Sequence, residues 1–61
     1  MTVWFERFND GHDIKAMCHV RMDKRTWVMY RSTLRGRTPN ELGRDYKLFQ
    51  AAAYNIINRM N

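Results

Sequence analysis

The fold of this chain turns on one stretch, VRMDKRTWVMYRSTLRGR, residues 20–37. Its segment TWVMYRSTL (26–34) is aromatic and β-branched, which is a strand composition. The polar turn DKR (23–25) separates it from an equally strand-like run ending at Met22. Toward the N-terminus, TVWFERF (2–8) has the same character. Asp10-Gly11, a dipeptide that tolerates the positive φ of a tight turn, lies between that segment and the run from Asp13. Three strands, about 2–8, 13–22 and 26–34, therefore form an antiparallel meander.

Toward the C-terminus the period changes. TPNE (38–41) is a capping box: Thr38 accepts from the backbone three residues on, Glu41 reaches back, and Pro39 occupies the first helical position, where its missing N–H costs nothing. Leu42, Tyr46, Phe49, Ala53, Ile56 and Met60 then recur at helical spacing, which predicts one helix over about 39–60 with a single apolar stripe. The sheet is the only element available to cover that stripe. The expected fold is α+β: one small β-β-β-α domain spanning 1–61, the helix packed on one sheet face. Gly43 either marks a close helix–sheet approach or is simply tolerated.

Register decides which side chains face solvent. If Asp10-Gly11 is a two-residue turn, Asn9 opposes His12, Phe5 opposes Ala16 and Val3 opposes Cys18, while Trp4 opposes Met17 and Glu6 opposes Lys15 on the other face. A three-residue loop DKR in the second hairpin pairs Val20 with Val28, Cys18 with Tyr30 and Ile14 with Leu34. It lacks the Gly usual at the left-handed position of such a loop. A four-residue loop DKRT would bury Trp27 but set Cys18 opposite Arg31 and Ile14 opposite Arg35, a poorer core. With the shorter loop the helix covers Val3, Phe5, Ile14, Ala16, Cys18, Val20, Val28, Tyr30 and Leu34. The open face then displays Trp4, Lys15, Met17, His19, Arg21, Trp27, Met29 and Arg31.

Charge is unevenly placed. Residues 15–37 hold Lys15, Arg21, Lys24, Arg25, Arg31, Arg35 and Arg37 against Asp23 alone, seven of the chain's eleven Lys and Arg residues, within a net charge of +5. The first fourteen residues set Arg7 against Glu6, Asp10 and Asp13. Positive potential is thus concentrated on the second and third strands. Two Trp rings interleaved with cations combine phosphate neutralisation with stacking surfaces, so the expected function is nucleic-acid binding, DNA favoured over RNA, in a small regulator or phage-type accessory factor. The candidate contacts are Trp4, Lys15, His19, Arg21, Lys24, Arg25, Trp27, Arg31, Arg35 and Arg37. The same Trp- and Arg-rich face also suits a host protein, as in a phage-type inhibitor. A third reading has the Trp residues finish the core and the arginines guard edge strands against pairing.

The order of three strands then a helix, with basic residues on the strands, is topologically similar to the arm-binding domains of phage integrases and to a class of plant DNA-binding domains. That resemblance implies a sheet face turned to the major groove.

Catalysis is not expected. His19 could serve as a base with Arg31 or Lys15 beside a phosphate, as in a small ribonuclease, but adjacent Cys18 and His19 point to opposite faces of a strand and cannot form a nucleophile pair. No cofactor is implied, and Cys18, His12 and His19 offer no repeated metal-ligand spacing. A lone Cys, no signal-like start and no apolar run of about 20 residues lead to the expectation of a cytoplasmic protein without a membrane segment. A chain of 61 residues buries only about 60% of its unfolded surface, and this one has no disulfide or metal to reinforce it. The apolar stripe could equally serve a helix–helix seam, which makes a homodimer a further expectation.

Overall fold

A computed structural model describes residues 1–60. Its elements are β1 (Thr2–Asp10), β2 (Asp13–Met22), β3 (Arg25–Leu34) and α1 (Pro39–Arg59), the strands forming one antiparallel sheet in the order β1-β2-β3. The α+β meander with a C-terminal helix read from the sequence is therefore the architecture observed. The helix stops one residue earlier than expected, with Met60 as its C-cap.

The first hairpin closes on Gly11-His12 rather than Asp10-Gly11, so Asp10 pairs with Asp13, Asn9 with Ile14, Phe5 with Cys18 and Val3 with Val20. Gly11 has φ +65° and His12 stays at negative φ, the pattern of a type II′ turn with Gly first. The register is two residues from the expected one. Because side chains alternate with period two, every residue keeps its expected face and only the partners change: Trp4 opposes His19, not Met17, and Glu6 opposes Met17, not Lys15.

The second hairpin departs further. Its loop is the two residues Asp23 and Lys24, both at positive φ (51° and 70°) as a type I′ turn requires, with Met22 paired to Arg25. At the far end Cys18 pairs with Tyr30 and Ile14 with Leu34, as expected for a three-residue loop. One surplus residue, Met29, reconciles the two ends as a bulge between Cys18 and His19. The tight turn fixes one register, and Tyr30, stacked on Phe49 at 5.2 Å, holds the other. Beyond the bulge the faces exchange. Trp27 pairs with Val20 and so stands on the helix side, whereas Val28 pairs with His19 and is 45% exposed on the open side. Met29 packs against the core. All three were expected on the opposite face.

The core joins Ala16, Cys18 and Val20 of β2 and Leu34 of β3 to Phe49, Ala53 and Ile57 of α1. Phe5 meets Phe49 and Tyr46 edge-on, at 6.1 and 6.4 Å between ring centres, and Arg7 lies over Tyr46 at 4.8 Å. On the helix the buried residue of the last turns is Ile57; the expected Ile56 is only half-buried, and Met60 is exposed. Sheets twist, so a helix laid along one meets it at a slowly rotating angle, and a row of residues four apart, which drifts round the helix axis, follows that rotation. The stripe considered above for a helix–helix seam is packed here against the sheet.

The helix start is as predicted in outline. Thr38, extended at φ −112° and ψ 159°, caps it by accepting from the Glu41 amide at 3.1 Å. The Glu41 carboxylate reaches one residue further back than in a capping box, accepting from the Arg37 amide at 2.9 Å. The close glycine is Gly36, not Gly43: a Cβ at Gly36 would sit 2.7 Å from Glu41 backbone, while nothing lies within 4 Å of one at Gly43.

Candidate nucleic-acid interface

Three cross-strand rows build the centre of the open face. They are Trp4–His19–Val28, Glu6–Met17–Arg31 and Phe8–Lys15–Thr33, with Thr2–Arg21–Thr26 beyond them toward the second turn. Trp4 stacks on the His19 ring, the centroids 5.1 Å apart and the planes 13° from parallel. His19 Nε2 lies 3.4 Å from Glu6 Oε1, and Lys15 Nζ lies 2.7 Å from Asp10 Oδ2. Asp10 therefore offsets the Lys15 charge on this face, and the Glu6 carboxylate is engaged by the His19 ring. Trp4 and Phe8 remain exposed beside them.

Of the sequence-derived site residues, Trp4, Lys15, His19, Arg21 and Arg31 share the open face. Trp27 does not; it stands across from Val20 on the helix side, 40% exposed. Arg25, opposite Met22, falls on that side too, and Lys24 sits in the turn. Arg35 and Arg37 follow β3 into the link to α1, both exposed. What Lys24, Arg25, Arg31, Arg35 and Arg37 share is an edge: β3 is one of the two outer strands of the sheet, and they run along it and past both its ends. At about 3.3 Å per residue a ten-residue strand is roughly 33 Å long. Among the described residues only Lys15 and His19 have a carboxylate within ion-pair distance, so no cation of this band is ion-paired. Arg44 of α1 extends it, lining with Arg35 one shallow depression that Glu41 and Asp45 also border.

Besides Val28, Phe8 is an open-face residue that sequence reasoning missed. Alternation from Trp4 through Glu6 reaches it as the last residue of the expected first strand. It borders a cleft of about 530 Å³ with Lys15, Met17, Arg31 and Thr33. Cys18 is fully buried on the helix side while His19 stands on the open side, so the two cannot act as a pair. Burial pushes the Cys18 thiol above its ordinary value. Among the described residues no three of His, Cys, Asp and Glu converge as a metal site, and no helix is long and apolar enough to cross a membrane. Comparison with protein-family models, with curated proteins and with solved structures gives no match to this chain.

Proposed function

We propose that this chain binds nucleic acid, duplex DNA first, along the β3 edge and the adjoining open face. The observation that carries this is the band of Lys24, Arg25, Arg31, Arg35 and Arg37 along one edge, without carboxylate partners among the described residues. Phosphate neutralisation by such a band supplies sequence-independent affinity, and Trp4 and Phe8 offer ring faces for unpaired bases. Binding to duplex DNA, single-stranded DNA and RNA at two salt concentrations tests it. Affinity should fall steeply with salt, and Arg31→Glu with Arg35→Glu should flatten that dependence by about one unit of slope per lost phosphate contact while leaving the fold intact. No binding to any of the three at low salt would overturn the proposal.

A second reading, a protein partner on the open face, is favoured by a different observation. There Asp10 offsets Lys15, Glu6 is engaged by the His19 ring, and Trp4, Phe8 and Val28 are exposed. Binding through that patch would survive salt and fail on Trp4→Ala.

A further inference from the structure

The two edges of the sheet differ in how they meet solvent. β3 carries Arg25 and Arg31 and a bulge at Met29, the devices that keep an edge strand from pairing with another chain. β1 also carries charge, at Glu6 and Arg7, but it has no bulge. Its nine residues TVWFERFND contain no Lys, Pro or Gly, and its register with β2 runs unbroken from Thr2 to Asp10. Since Asp10 and Asp13 close a two-residue turn, theirs is a hydrogen-bonded pair, and alternation makes Phe8, Glu6, Trp4 and Thr2 bond to β2. Val3, Phe5, Arg7 and Asn9 therefore turn their N–H and C=O groups outward.

The helix leaves this edge thinly covered. α1 packs over β2 and β3, and the β1 side chains on its side are met chiefly by rings. Tyr54 lies 5.4 Å from Phe5, yet is 48% exposed.

We propose that β1 is the docking edge for a second copy of this chain, paired antiparallel about a twofold axis at Phe5. A twofold normal to the sheet keeps both helices on one side; an axis at Val3 or Trp4 would pair fewer residues of β1, and charge excludes the two positions after Phe5. Centring the axis on Glu6 opposes two glutamates, and centring it on Arg7 opposes two arginines. With Phe5 at the axis, Val3 faces the second copy's Arg7, Trp4 faces its Glu6 and Thr2 faces its Phe8, and no like charges are directly opposed. Phe5 meets its own copy, and the two Tyr54 rings close over that pair. The product is a continuous six-stranded sheet in which both unpaired edges are the guarded β3 strands.

Sedimentation of the free protein over a range of concentrations, with amide exchange followed by NMR, tests this. The expected result is a concentration-dependent dimer in which the Val3, Phe5 and Arg7 amides slow by about tenfold or more on concentration, while Trp4 and Glu6 amides are protected throughout. A monomer at every concentration overturns it, as does a dimer in which the odd-numbered amides stay fast. Arg7→Pro removes an outward N–H without breaking a bond to β2, so it should yield a folded monomer. A folded but still dimeric Arg7→Pro protein also overturns the proposal. If that variant unfolds, the exchange pattern of the unaltered chain decides alone.

Discussion

The backbone amide of Gly36 donates a 2.7 Å hydrogen bond to the Asp45 carboxylate nine residues on, and this contact ties the end of the sheet to the second turn of the helix. Gly36 is also pressed against the Glu41 backbone, where a Cβ would sit at 2.7 Å. Gly36→Ala must move backbone rather than a flexible side chain, and should cost at least about 1–3 kcal/mol. Asp45→Ala leaves a part-buried amide unpaired and should cost roughly 1–3 kcal/mol. Urea denaturation measures both, and a Gly36→Ala protein of unchanged midpoint would show that the link is free to relax.

Two neighbouring isoleucines separate the observed helix face from the one read off the spacing. Ile57 is 4% exposed in the core and Ile56 only half-buried. Ile57→Ala should cost about 2–5 kcal/mol and Ile56→Ala clearly less. Equal losses in thermal or urea melts would place the helix face midway between them.

Lys24 sits at φ 70°, a left-handed conformation that costs a non-glycine residue roughly 1–2 kcal/mol. Glycine removes that strain but adds unfolded-chain entropy worth roughly 0.5–1 kcal/mol. The strain is the larger of the two, so Lys24→Gly should raise stability by about 0.5–1 kcal/mol, read as a higher urea midpoint at unchanged slope.

Cys18 gives the fold an alkaline limit. Burial raises its thiol above the ordinary 9.0, so the folded chain holds the proton where the unfolded chain releases it. The resulting stability is complete below 9.0 and is lost as pH climbs from there through the raised folded value. Urea midpoints should fall over that range in the parent and fall less in Cys18→Ala. Native Cys18 should also alkylate far more slowly than the denatured thiol.

Local chemistry made most of the architecture legible in the sequence. The helix start at Thr38-Pro39 depends on cap groups within four residues, and the strands on β-branched and aromatic runs. Even a wrong first register left Val3, Phe5, Ala16, Cys18 and Val20 on the correct face, because a slip of two residues preserves alternation. The basic residues of the candidate site were legible as a segment, and the meander placed their strand at an edge; their division between the two faces was not legible, since it depends on the bulge at Met29.

By itself, then, the sequence determined three strands, a capped amphipathic helix, the apolar faces of β1 and β2, and the concentration of positive charge in residues 15–37. The tertiary structure alone decided where Trp27 and Val28 point. Asp23-Lys24 demands one register at the turn, while Tyr30 on Phe49 and Leu34 in the core hold another ten residues away. Each demand is satisfied at its own end, so the single surplus residue had to be absorbed between them. Met29 absorbs it where its side chain still reaches the core, and the bulge turns Trp27 off the open face. Composition does not record such a compromise, because it arises from two distant contacts competing over one strand.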